Sequence, residues 1–188
     1  IKQAAPQDDL SAFSGPVINK SAYDKIKGFI DFGRQEGGKI IFGGSCDDSK
    51  GFFIQPTIFQ TENLNFSLLK EEIFGPVLTV YVYPSGEYEK YLKIVANSGK
   101  YALTGSIFAS DRQAQILATE ILRDAAGNFY VNDKCTGAVV GQQAFGGARL
   151  SGTNDKAGSA ANLMRWTSMR CIKENFLPLD DFRYPSNL

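Results

Sequence analysis

The chain has 188 residues, which fits one domain or a domain with a short appendage. Its 20 basic residues balance 20 acidic ones, so no strongly basic nucleic-acid face is expected. It has no histidine, which excludes a Ser-His-Asp or Cys-His catalytic set and any His-ligated metal site within it.

Punctuation by Pro6, Gly15 and Pro16 makes the first 18 residues read as a connection. A helix is predicted from about Ser21. Tyr23, Ile26 and Ile30 recur at helical spacing, Ser21 with Asp24 resembles a capping box, and Gly37-Gly38 is the stop signal. Residues 39–42 read as a short strand. Residues 52–59 form a second extended run, broken at Pro56, and 77–83 is the cleanest strand. A helix over 87–97 and a strand over 104–108 follow. The next helix is predicted from Ser110, with Gln113 at the capping-box position, and a buried strand over 129–131 comes after it.

Residues 135–158 are rich in Gly, Ser, Thr, Gln and Asn and read as a long irregular loop, the kind that is functional or disordered. A helical turn over 160–164 and a long strand over 166–176 complete the pattern. Strands alternating with helices predict an α/β domain with a largely parallel sheet.

The cysteines are Cys46, Cys135 and Cys171; no CxxC pair occurs, so neither a disulfide framework nor a Cys-only zinc site is expected. The longest nearly apolar run, 73–83, is too short to span a bilayer. Because residue 1 is Ile, the sequence reads as a piece of a longer chain.

Three stretches offer chemistry. The glycines around 146–147 and 152 match neither a P-loop nor a dinucleotide fingerprint, yet free backbone N–H groups there can cradle an anion; a plain surface loop needing positive φ is the competing account. In the run Lys70-Glu71-Glu72-Ile73-Phe74-Gly75-Pro76 a carboxylate stands near an aromatic on a Gly-Pro turn. That pair could hold a ribose and cover a flat base, or be a solvated acidic pair before a buried ring. Cys135 opens the polar loop, but a nucleophilic thiol needs a base or cation, and only Lys134 adjoins it.

The string "EEIFGP" at 71–76 resembles a motif in the C-terminal half of aldehyde dehydrogenases. The segments "GPVINKSAYDKIKGFI" from Gly15, "GGKIIFGG" from Gly37, "GFFIQPTIF" from Gly51, "YALTGSIFA" from Tyr101 and "GNFYVND" from Gly127 resemble the same superfamily in the same order. The stretch "TGAVVGQQAFGGARLSGTNDKAG" at 136–158 is similar to the glutamate-γ-semialdehyde (1-pyrroline-5-carboxylate) dehydrogenases, and the ending "KENFLPLDDFRYPSNL" to their fungal mitochondrial form.

The resemblance implies the C-terminal portion of an aldehyde dehydrogenase catalytic domain over 1–166. A mostly parallel sheet with flanking helices is expected there, and an oligomerisation strand and tail over 167–188. In that family a cysteine thiolate attacks the aldehyde, hydride passes to NAD, and water releases the acid. The implied reaction converts L-glutamate γ-semialdehyde to L-glutamate in the mitochondrial matrix. The family's nucleophile, oxyanion asparagine and general base lie upstream of this sequence, so no catalytic residue and no activity are expected in this chain alone, and no metal site.

Carried over residue by residue, Glu72 matches the glutamate that bonds the nicotinamide ribose and Phe74 the aromatic beside the nicotinamide. Gly137 and Ala138 match the loop whose N–H groups bind the substrate carboxylate, and Phe145 the aromatic packed on the substrate. Cys135 stands where serine is expected. The implied partners are the semialdehyde, glutamate and further copies of the chain through 167–188, with no nucleic acid or membrane. Two alternatives stay open: another aldehyde dehydrogenase on the same scaffold, or a truncated, non-catalytic binding or assembly module.

Overall fold

The computed structural model describes residues 2–5, 8–178 and 180–187; Pro6 lies outside them. The first helix, α1 (Lys20–Gln35), starts at Asn19, whose extended backbone lets its side-chain oxygen accept the Ala22 N–H at 2.9 Å. The cap is therefore Asn19 rather than Ser21, which sits inside the helix. Gly37, at φ 85°, ends it, and the Gly38 N–H returns to the Gly33 carbonyl at 2.9 Å.

Tyr23, Ile26 and Ile30 line one face of α1 and are buried against a sheet. That sheet places β4 (Thr57–Thr61) between β1 (Lys39–Phe42), which runs antiparallel to it, and β5 (Val77–Tyr81), which runs parallel. Along β4 the buried residues alternate as Thr57, Phe59 and Thr61, the period of a strand covered on one face. Phe59, Phe66, Ile54, Leu68 and Ile73 complete this core. Removing the Phe59 ring would cost about 3–5 kcal/mol, the usual penalty for emptying a buried aromatic site. The hairpin strands β2 (Cys46–Asp47) and β3 (Phe53–Ile54) precede β4, and the break between β3 and β4 falls at Gln55-Pro56, as the proline predicts.

The second half is built on α2 (Tyr88–Ser98), β6 (Tyr101–Ala102), β7 (Thr104–Ile107), α3 (Arg112–Ile121) and β8 (Asn128–Val131). β7 and β8 are parallel, joined by α3 as crossover, and Leu92, Ala118 and Leu122 form a smaller core between the helices and this pair. Asp111 caps α3 by accepting the Gln113 N–H at 2.9 Å, one residue later than Ser110. The strand β9 (Ala148–Arg149) pairs antiparallel with β6 and returns the long loop to the body. The α/β architecture holds; among the described residues its strands lie in a three-stranded sheet and three two-stranded ones. The pairing is mixed rather than mostly parallel: parallel at β4/β5 and β7/β8, antiparallel at β1/β4, β2/β3 and β6/β9.

After α4 (Ala160–Leu163) and a 3₁₀ turn at Met164–Trp166, residues 167–175 carry no regular structure and are exposed. The long strand expected over 166–176 does not form here. A strand needs a neighbour for its N–H and C=O groups, and no described residue supplies one. The chain exposes 13,697 Å² in all. A compact monomer of its 20.6 kDa mass exposes about 8,900 Å². Among the described residues, no helix is long and apolar enough to cross a membrane.

Candidate functional site

Two loops carry the candidate residues. The first leaves the 3₁₀ turn Ser67–Leu69 and reaches β5. Its start is tied to the end of α1, where the Glu36 carboxylate accepts both the Ser67 N–H (3.0 Å) and its hydroxyl (2.7 Å). Its end presses backbone onto α1: a Cβ on Gly75 would stand 2.7 Å from Ile26 Cδ1. The Thr57 N–H donates to the Pro76 carbonyl at 2.8 Å. Between these ties Ile73 turns into the core, while Glu72 and Phe74, the residues on either side of it, are exposed.

Phe74 is 80% exposed and has φ 59°. A bulky residue in the left-handed region costs about 1–3 kcal/mol, and such strain clusters at functional sites. Nothing in the residue pattern announces it. The competing account of this run, a buried ring behind a solvated pair, is excluded for Phe74. Glu72 offers a carboxylate to hydroxyl donors beside an open aromatic face, a donor and surface set that suits a ribose and a flat heterocycle.

The second loop leaves β8. Its entry is clasped by Asn132, at φ 55°, whose side chain accepts from the Ala109 N–H (2.8 Å) and donates to the Ala109 carbonyl (3.0 Å). The Ser106 hydroxyl donates to the Asp133 carbonyl at 2.6 Å. Gly137 then takes φ 94°, and among the described residues neither its N–H nor that of Ala138 finds an acceptor. Two free amides on a loop anchored at its base suit a carboxylate. Phe145, half-buried, is held where its N–H meets the Ala157 carbonyl at 2.9 Å. Arg149 locks the exit by donating to the carbonyls of Ala96 (2.6 Å) and Gly99 (3.0 Å) at the end of α2.

Phe145 lines an open cleft of about 340 Å³ together with Gly146, Thr153, Asn154, Asp155 and Lys156. Hydrogen bonds from Thr153 and then Arg165 hold the Asp155 carboxyl below the ordinary aspartate range. Cys135 is exposed and, among the described residues, has no hydrogen-bond partner that would activate it. Cys46 is half-buried in β2, and that burial pushes its thiol up.

Glu72 and Phe74 thus share one turn, and Gly137, Ala138 and Phe145 share one loop. No hydrogen bond among the described residues joins the two groups. Sequence reasoning missed Asn132 and Arg149. A polar residue at a strand end and a basic residue facing helix-terminal carbonyls are the signals that point to them.

A model of the aldehyde dehydrogenase family matches residues 1–172. The chain belongs to the aldehyde dehydrogenase family. It is 56% identical, over 186 residues, to the delta-1-pyrroline-5-carboxylate dehydrogenase of Agaricus bisporus, covering 99% of this chain and 34% of that one. The relatives of that name in Dictyostelium discoideum and Danio rerio are called mitochondrial. The Mycobacterium tuberculosis delta-pyrroline-5-carboxylate dehydrogenase, solved with NAD and cobalamin, superposes with a TM-score of 0.81 at 46% identity, over 98% of this chain and 34% of that one. The lactaldehyde dehydrogenase of Escherichia coli shares the fold at a TM-score of 0.73 but only 27% identity, over 81% of this chain and 31% of its own. The chain spans about a third of the length of the curated aldehyde dehydrogenases it matches.

Proposed function

We propose that the chain is the C-terminal third of an NAD-dependent dehydrogenase that oxidises L-glutamate γ-semialdehyde to L-glutamate in the mitochondrial matrix. It supplies half of the cofactor site and half of the substrate site. The step between identities carries the substrate class: 56% and 46% to the pyrroline-carboxylate enzymes against 27% to a lactaldehyde enzyme of the same fold. The large exposed area supports a longer polypeptide folding over this one.

In the assembled enzyme NAD accepts the hydride as aldehyde and water become acid, with release of one proton. The residues of this chain bind and orient. Glu72 accepts hydrogen bonds from the nicotinamide ribose, and the exposed Phe74 ring covers one side of the nicotinamide. The free N–H groups of Gly137 and Ala138 hold the α-carboxylate of the semialdehyde, and Phe145 packs on its methylenes. The nucleophilic thiol comes from upstream, so the chain alone is inactive. Within the stretch 167–188, residues 167–178 are exposed and find no strand partner among the described residues, and the stretch completes a sheet edge with a second copy.

Kinetics of the intact protein test this. L-Glutamate should inhibit competitively against the semialdehyde, and an aldehyde of equal chain length without the α-carboxylate should have a kcat/KM lower by roughly 100-fold, since the free amides then lose their partner. Equal kcat/KM for the two aldehydes would exclude the carboxylate role of Gly137 and Ala138.

A further inference from the structure

Phe145 is gripped by two side chains that the assignments above do not use. Asn128 opens β8 and is only 4% exposed. Its own N–H serves the strand pairing, donating to the Leu103 carbonyl at 2.9 Å. Its side chain faces the loop: Nδ2 donates to the Ala144 carbonyl at 2.9 Å, and Oδ1 accepts the Gly146 N–H at 3.0 Å. One buried amide thus brackets Phe145 by the residues before and after it, as a neighbouring strand would.

Lys156 closes the grip. Its ammonium donates to the carbonyls of Gly127 and Gly146, the latter at 2.9 Å, and approaches Asn128 Oδ1 at 3.5 Å. It reaches them from a left-handed backbone at φ 57°, and the next residue, Ala157, holds the Phe145 N–H through its carbonyl. Approach at this point is close: a Cβ on Gly127 would stand 2.1 Å from the Gly146 oxygen. Two backbone segments, at Gly127–Asn128 and at Gly146, therefore converge on a cation carried by a third. A charge surrounded by carbonyl oxygens is favourable only while they stay in place, so its loss frees all three segments together.

We propose that Lys156 and Asn128 are positioning residues for Phe145. They fix where its ring stands and so set how well the aliphatic part of the aldehyde is held. This rests on the assignment of Phe145 to the substrate site. It concerns the substrate and not NAD, because the Glu72–Phe74 turn belongs to the other core and shares none of these hydrogen bonds.

The test uses the intact enzyme and measures KM for the semialdehyde, KM for NAD and kcat in Phe145→Ala, Lys156→Met, Lys156→Gln and the double variant Phe145→Ala/Lys156→Met. Lys156→Met should raise the semialdehyde KM on the order of tenfold, with the NAD KM unchanged. Lys156→Gln, which can still donate to two carbonyls, should fall between it and wild type. The double variant should be no worse than Phe145→Ala, because the lysine acts only through that ring. If Lys156→Met does not fold, Lys156→Gln carries the same comparison.

An unchanged semialdehyde KM in both lysine variants, beside a raised one in Phe145→Ala, overturns the inference alone. Equal rises in both KM values, or an additive double variant, also overturn it. An unchanged KM in Phe145→Ala overturns the assignment of Phe145 itself and the inference with it.

Discussion

Glu36 holds Ser67 with both carboxylate oxygens, Oε1 on the hydroxyl at 2.7 Å and Oε2 on the N–H at 3.0 Å. The residue that closes α1 thereby pins the start of the turn that presents Glu72 and Phe74. Glu36→Ala should cost about 2 kcal/mol, the worth of hydrogen bonds to a charged acceptor. It should also raise the NAD KM while sparing the semialdehyde KM. Glu36→Gln, keeping one acceptor, should lose about half as much. Urea unfolding and steady-state kinetics on the intact protein check both effects.

Phe74 predicts stability and function moving in opposite directions. Phe74→Gly removes the cost of φ 59°, offset in part by glycine's greater chain entropy, and should stabilise the protein by about 1 kcal/mol. The same change removes the ring proposed to cover the nicotinamide and should weaken NAD binding. A calorimetric melting curve with an NAD titration reads both. Glu72→Gln, by contrast, should leave stability within about 0.5 kcal/mol, as expected of an exposed side chain, and lower turnover.

The cap of α1 separates two neighbouring polar residues. Asn19→Ala should cost about 1 kcal/mol because the Ala22 N–H loses its acceptor. Ser21→Ala, already inside the helix, should change stability by less than about 0.5 kcal/mol. Chemical denaturation of the two variants side by side decides it.

What the residues announced was local. The α1 face of Tyr23, Ile26 and Ile30, the break at Pro56 and the α/β alternation were legible because periodicity and proline act over a few positions. The left-handed Phe74, the Asn132 clasp and the bracketing of Phe145 by Asn128 were not. Each depends on partners far along the chain: Ala109 lies 23 residues before Asn132, and Ala144 lies 16 after Asn128. The stretch 167–175 misled for a related reason. Its strand-like composition describes what it can pair with, and no described residue is there to pair with it.

Burial raises the Cys46 thiol, an effect that Lys27 lowers, Asp31 reinforces and Arg34 lowers again. Its alkylation rate should therefore keep rising with pH beyond the ordinary 9.0, and below that it should react more slowly than in the unfolded chain. The sign for stability follows. The folded state holds this proton more tightly, so the contribution of Cys46 is complete below the unfolded pKa and is lost as pH rises through the folded one. Mass-spectrometric labelling against pH, folded and in urea, checks the order.

The most direct measurement of the central claim is turnover with NAD and L-glutamate γ-semialdehyde, for the 188-residue chain and for the intact protein under the same conditions. Activity confined to the intact protein is the predicted result, with Glu72, Phe74, Gly137, Ala138 and Phe145 completing sites whose nucleophile lies elsewhere. Turnover by the 188-residue chain itself would contradict it, and would place the nucleophile among Cys46, Cys135 and Cys171.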